Sequence, residues 1–288
     1  MELAFQVIVN ALITSAFYAV LAVGLTIVFG VMGTANYAHG EFYMVGGYTV
    51  WLLYAEAHWP FFAAVAVACL IVGSLGMLCE LGLFRQVRRS VLAGFLISIG
   101  LMLILRVLAG EIWGVGLTKH VPPAFPGVLN MWGVTVPWQR LLIIPSVLFL
   151  LGAGYLFLTR TKLGRGVRAC AQDRDAASLH GISSNTMALI VLGIGSAMAG
   201  AAGGLMAPLV AVMPYMGHIV IWMCFVIVIV GGAGNLKGAL LASIFFGFLY
   251  SIVTTFSDST IAAIVASVVM LIVLAIRPQG LMGYYAEE

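Results

Sequence analysis

The apolar run from Phe5 to Val31 is long enough to cross a lipid bilayer with some tilt, and it is the first of a series. Phe61–Leu81, Val91–Leu108, Leu141–Leu158, Thr186 to about Val212, Leu240–Phe256 and Ile261–Ile276 repeat it. Two shorter runs, Phe42–Tyr54 and Ile219–Val230, stand among them; glycines interrupt the first and border the second. Lipid offers no partner to a backbone amide or carbonyl, so each run must form a helix that satisfies its own groups. The chain is 63% hydrophobic and 8% charged, where soluble domains carry about 25% charged residues. The fold class that follows is all-α and integral to the membrane: a polytopic helical bundle of about nine spans, roughly eight to ten because the short runs suit broken or re-entrant helices.

Charge sets the expected topology. Basic residues collect on the inner side of membrane proteins. Five of the chain's 13 Lys and Arg residues lie between residues 159 and 184: Arg160, Lys162, Arg165, Arg168 and Arg174. A second basic loop holds Arg85, Arg88 and Arg89. With both loops inside, Lys237 and Arg277 also fall inside, Lys119 and Arg140 fall outside, and Arg106 is expected to snorkel to the outer interface. The N-terminus is then out and the C-terminus in. Residues 110–140, with Pro122, Pro123, Pro126 and Pro137 among Trp113, Trp132 and Trp138, make the external loop. Val134–Val136 beside Asn130–Gly133 hints at a short hairpin. Glu2 and the lack of a basic leader argue against a cleavable signal peptide. Residues 1–288 are expected to form one transmembrane domain.

Within the loop at 159–184, Asp173 suits a helix N-cap and Gly181 suits the left-handed residue that ends a helix. Between them Arg174–His180 make about two turns. Gly164 and Gly166 are expected to separate this short helix from the preceding span. A solvated turn is the plain reading of Asp173-Arg174-Asp175; the caps, Ala176, Ala177 and Leu179 argue instead for a docking surface.

Other motifs carry less. Gly231–Gly238 resembles a phosphate loop but lacks the Gly before Lys237 and the Ser or Thr after it. The sequence thus shows no nucleotide-binding motif of its own, and no cofactor or metal site is expected; Cys69, Cys79, Cys170 and Cys224 form no Cys-x-x-Cys pair. The net charge of +3 follows topology, so the expected surroundings are membrane lipid and not nucleic acid. Asn36, His39 and Glu41 sit beside a helix break, where unwound backbone can line a translocation path; an ordinary cytoplasmic turn is the simpler reading. Gly33–Gly40 and Gly232–Gly238, the latter with Asn235, echo one another weakly, as halves of repeat-built transporters do. Small residues recur at four-residue spacing in Ser196, Gly200, Gly204 and in Ala239, Ser243, Gly247; packing within the chain is favoured over a dimer face. No ionisable residue is placed near the centre of a clear span.

Thr161-Lys-Leu-Gly-Arg165, continuing from Arg168 through Asp173-Arg-Asp-Ala-Ala-Ser-Leu-His-Gly-Ile182, resembles the cytoplasmic coupling segment of the branched-chain amino acid ABC-importer permeases. Gly24–Gly33 with Asn36–Glu41, Val230–Asn235 and Arg277–Leu281 match the same family in order along nearly the whole chain. The resemblance is closer to the shorter, LivH-like permease than to the longer, LivM-like one. It implies a permease subunit of an ATP-driven importer for branched-chain or related amino acids in the bacterial inner membrane. The implied partners are a second, LivM-like permease, two cytoplasmic ATPase subunits that bind ATP and Mg, and a periplasmic binding protein. Asp173, Arg174, Asp175, Ala176, Leu179, His180 and Gly181 become the ATPase-coupling helix, while Asn36, His39, Glu41 and Asn235 become pathway candidates. The alternative is a secondary transporter of small solutes driven by an ion gradient, which would want an ionisable residue deep in a span.

Overall fold

The structure, a computed structural model, describes residues 2–88, 90–131 and 134–283. Arg89 of the second basic loop, and Trp132 and Gly133 at the hairpin turn, lie outside the described residues. Helix α1 (Glu2–Met32) is followed by α2 (His39–Val50), which continues as a π-helical turn, Trp51–Glu56. Next come α3 (Phe61–Cys79), a second π-helical turn (Glu80–Phe84), the short α4 (Arg85–Val87) and α5 (Val91–Trp113). A hairpin of β1 (Val128–Met131) and β2 (Val134–Pro137) leads to α6 (Trp138–Leu141) and α7 (Ile143–Arg160). Two short helices, α8 (Lys162–Gln172) and α9 (Arg174–Leu179), precede α10 (Ser184–Met206), α11 (Met216–Gly231), α12 (Leu236–Phe256) and α13 (Ser259–Ile276).

Among the described residues, 7 helical runs are long and apolar enough to cross a membrane. The chain is a multi-pass membrane protein. The difference between seven and the expected nine or so is α2 and α11, the two runs that the sequence marks as short. The expected hairpin forms, with Leu129 opposite Val136 and Asn130 opposite Thr135. Its loop is pinned back onto the bundle. The Lys119 amide donates to Val212 O at 2.8 Å and the Val212 amide to Lys119 O at 2.9 Å, while Lys119 Nζ stands 4.8 Å from the centre of the Trp51 ring.

Inside lipid, apolar burial does not drive helices together, so close backbone packing and hydrogen bonds must. The two small-residue stripes serve this purpose within the chain. Gly200 of α10 lies on Ala68 and Val72 of α3, Gly204 on Val50 and Val65, and Ser196 on Gly76. Gly247 of α12 lies against Ser15 of α1. Ser15 Oγ donates to Ile244 O at 3.2 Å and Ser251 Oγ to Val7 O at 3.1 Å, so α1 and α12 run antiparallel. Most of α1 and α10 is buried, whereas α5, α7 and α13 pack at the periphery.

The basic loop differs from expectation in one respect. Gly164 and Gly166 do not break the chain; they lie inside α8. Gly164 nestles on the backbone of Phe157 and Leu158 and Gly166 on Met187. Their missing side chains let α8 fold tightly under α7 and α10, while Thr161 caps the helix by accepting from the Gly164 amide at 2.9 Å.

One tight crossing is between α2 and α10, where a side chain on Gly203 would run into the Tyr43 carbonyl. Gly203→Val is expected to destabilise the fold by about 1–3 kcal/mol through overpacking, read as a lowered melting temperature in detergent. Gly152→Ala, in α7 with no neighbour within 4 Å, is expected to leave melting unchanged or raise it. Equal melting of the two variants would refute the crossing.

Candidate functional site

Two polar regions stand out in this apolar bundle. The first is the basic end, where α8 and α9 lie. Asp173 Oδ1 accepts from the amides of Asp175 at 2.8 Å and Ala176 at 2.9 Å, which caps α9 as the sequence predicts. At the other end the Gly181 amide donates to Ser178 O and the Ile182 amide to Ala177 O. These paired bonds close the helix around a Gly181 of φ +78°. A helix this short has little stability of its own; both ends are therefore fixed by caps.

Asp173, Asp175, Ala176, Leu179, His180 and Gly181 form one exposed surface. Leu179 is 88% exposed, the largest value among the exposed hydrophobic residues described. Ala177 is buried against the bundle. Arg174 turns the other way. Its Nη2 donates to Val31 O, one of the last carbonyls of α1, which have no partner within the helix. Beside it Arg88 makes an ion pair with the fully buried Glu80 and donates from Nη1 to Asn185 Oδ1. Burial, and then the nearby Arg174 charge, lower the Arg88 pKa. Arg174 thus ties the exposed helix to α1, while beside it Arg88 joins the π-helical turn after α3 to α10. The sequence signals the caps but not this anchorage.

The second region is the head of α2. After Met32 the chain turns at Gly33 and runs without helical structure to Ala38. It does not stay at the basic end, as the simpler reading of Asn36, His39 and Glu41 expected; it runs back into the bundle. His39 Nε2 lies 3.2 Å from Leu21 O, about three turns before the end of α1. Since a carbonyl only accepts, Nε2 carries the proton and donates. Asn36 is 2% exposed, His39 0% and Glu41 1%.

Ser98 of α5 supports the unwound stretch. The Tyr37 amide donates to its Oγ at 3.1 Å, and that hydroxyl reaches Ala35 O at 3.2 Å. Asn36 Oδ1 accepts from the Ala38 amide at 3.1 Å. The Tyr37 ring sits between Phe95 and Phe225, with centroids at 5.4 and 4.5 Å.

Arg106 does not snorkel outward. Its Nη2 donates to Glu41 Oε1 at 2.7 Å and its Nε to the same oxygen at 3.3 Å. The guanidinium also stands 5.6 Å from the centre of the Tyr215 ring. A buried ion pair therefore joins α2 to α5, about two turns before the end of α5, where the sequence placed no deep charge. The available clue was the long apolar stretch on the N-terminal side of Arg106. Two turns further along both helices, Tyr48 stacks on Trp113 with centroids 4.1 Å apart and planes at 10°. Ser98, Arg106, Tyr48 and Trp113 thus define a seam that sequence reading missed.

Residues two apart on a helix project about 200° from one another. His39 accordingly faces α1 while Glu41 faces α5. Asn235 joins neither. It caps α12 by accepting from the Gly238 amide at 3.0 Å, and its Nδ2 donates to Met282 O at 2.6 Å. Its loop does approach α1, because Gly234 packs on Gly30. The two echoing glycine segments are therefore neighbours at the basic end, although only the first leads into the bundle.

The sequence profile of the family described as "Branched-chain amino acid transport system / permease component" matches residues 7–274. The chain is 28% identical to the high-affinity branched-chain amino acid transport system permease protein BraD of Pseudomonas aeruginosa, over 96% of this chain and 95% of that protein. It is likewise 28% identical to the corresponding LivH permease of Escherichia coli K12, with the same coverage. The LivM permease of that organism is 27% identical, over 92% of this chain and 67% of LivM. No solved structure matches the chain. The match of the family profile from the first helix to the last places the fold and both polar regions in one lineage: the chain belongs to the branched-chain amino acid transport system permease family.

Proposed function

We propose that this chain is the permease subunit of an ATP-driven importer for branched-chain or related amino acids. It works beside a second, LivM-like permease in the bacterial inner membrane, with the basic end in the cytoplasm, N-terminus out and C-terminus in. Two ATPase subunits carry ATP and Mg, and a periplasmic binding protein delivers the substrate. The supporting observation is α9. A capped two-turn helix holds Leu179 in water at 88% exposure while Arg174 and Ala177 hold it to the bundle. An exposed apolar side chain on a rigid polar mount is what a partner's groove can grip.

In this reading the ATPases displace α9 as they close. Arg174 passes the displacement to the end of α1, next to the segment that enters the bundle toward Asn36, His39 and Glu41. These three residues line the pathway, and Asn235 stabilises the neighbouring turn. The ligand can drive the switch only by binding one state more tightly than the other.

The buried Glu41–Arg106 pair gives weight to a second reading, a transporter driven by an ion gradient, because deep ionisable groups are what such a protein uses. The requirement for ATP hydrolysis separates the two. In proteoliposomes holding the whole complex and its binding protein, leucine uptake is expected to need ATP and to be abolished by Leu179→Asp, with the permease still folded. Full uptake in that variant, or uptake by the chain alone under an ion gradient, counts against the importer.

Orientation has its own check. A cysteine introduced as Leu179→Cys is expected to react with a membrane-impermeant maleimide only after the inner membrane is opened; labelling in spheroplasts with that membrane intact overturns the assignment. Asp173→Ala removes the N-cap at a local cost of about 1 kcal/mol. It is expected to speed hydrogen exchange of the α9 amides and lower coupled uptake without changing the melting temperature.

A further inference from the structure

The seam between α2 and α5 holds more polar capacity than it uses. Glu41 spends only Oε1 on Arg106. Its Oε2 and the Tyr48 hydroxyl are buried without a hydrogen-bond partner among the described residues. Glu41 and Tyr48 are seven residues apart, so they share the face of α2 that meets α5. Glu41 also lies in the first turn of α2, where Ala38 supplies no side-chain cap and the helix dipole is positive. Buried polar atoms in proteins are nearly always paired. A carboxylate oxygen and a hydroxyl left open on one seam point to a ligand that takes them.

We propose that this seam is an intramembrane binding site for the zwitterionic backbone of an α-amino acid with an apolar side chain. The ligand inserts into the ion pair: its α-carboxylate takes the Arg106 guanidinium, and its α-ammonium takes the Glu41 carboxylate. The exchange keeps every buried charge paired. A zwitterion adds no net charge to a low-dielectric site, whereas a lone anion would leave Glu41 unanswered and a lone cation Arg106. An amide or urea, being uncharged, cannot replace either partner of the pair, so the seam selects amino acids over those solutes.

Two features suit the exchange. Tyr215 stands over the guanidinium and keeps a cation–π partner on Arg106 when Glu41 releases it. Helix α5 is peripheral and mostly exposed, so it can part from α2 without breaking the core.

This inference rests on the importer reading, and the test separates the two. The complex purified through this chain, without the binding protein, is placed in nanodiscs and probed with radiolabelled L-leucine by scintillation proximity. Saturable binding is expected. L-valine competes, while isocaproate, which lacks the ammonium, isoamylamine, which lacks the carboxylate, and urea fail to compete at a hundredfold excess. Glu41→Gln and Arg106→Gln each raise Kd by about tenfold or more, the loss of one charge-assisted interaction. Should either variant fail to assemble, the competition series on the unaltered complex decides alone. Absence of saturable leucine binding, equal competition by isocaproate or isoamylamine, or a folded Glu41→Gln variant with unaltered Kd overturns the site. If ATP-driven leucine uptake by the complete system persists under any of these results, only the site falls. If no amino acid is taken up at all, the importer reading falls with it.

Discussion

Helices in lipid must be held together without the force that assembles a soluble core. Here the solution is backbone against backbone. Gly203 lies on Tyr43, Gly200 on Ala68 and Val72, and Gly247 on Ser15. Each approach is close enough to exclude a side chain, so dispersion contacts and Ser15 and Ser251 hydrogen bonds replace what burial contributes in water. This close packing gathers α1, α2, α3, α10 and α12 into a rigid centre. It leaves α5, α7 and α13 outside, attached along one face each.

Helix α5, laid against that rigid centre, is what permits a broken helix. The stretch from Gly33 to Ala38 carries backbone groups that lipid could not satisfy. Ser98 supplies Tyr37 and Ala35, and the Asn36 side chain supplies Ala38. Unwound chain is thus confined to a place where protein surrounds it. Its reward is a helix start deep in the bundle, with an acidic residue in the first turn facing a guanidinium.

Much of this architecture was legible in the sequence. The apolar runs gave the helices within a few residues, and the interrupted runs at Phe42–Tyr54 and Ile219–Val230 are the two short helices. Asp173 and Gly181 announced α9 because caps are local chemistry, set by the residues themselves. The depth of Glu41 was not legible. Glycine, asparagine and tyrosine describe a turn equally well whether it faces water or doubles back into protein, and only tertiary contacts with Leu21 and Ser98 decide. Arg106 was misplaced for the same reason: an arginine near a helix end snorkels unless a carboxylate from another helix reaches it. Gly164 and Gly166 failed as breaks because glycine in a helix also permits close packing, here against Phe157, Leu158 and Met187.

The ion pair between α2 and α5 is poorly explained as a stabilising device. Removing two charges from water costs more than their mutual attraction returns unless further hydrogen bonds complete the site, and apolar replacements of similar volume are often as stable or more so. Glu41 and Arg106 meet through a single oxygen, and the second is left open on a seam that carries, two turns on, an equally open tyrosine hydroxyl. A bundle that brings its central helices together through glycine, alanine and serine had other ways to join two helices. The same seam lies against a helix start deep in the interior, and it binds a peripheral helix to the packed centre. A joint of this kind is strong only while both charges face each other. Its weakness toward anything that brings its own pair of opposite charges is then a property of the joint itself, arising from the same electrostatics that close it.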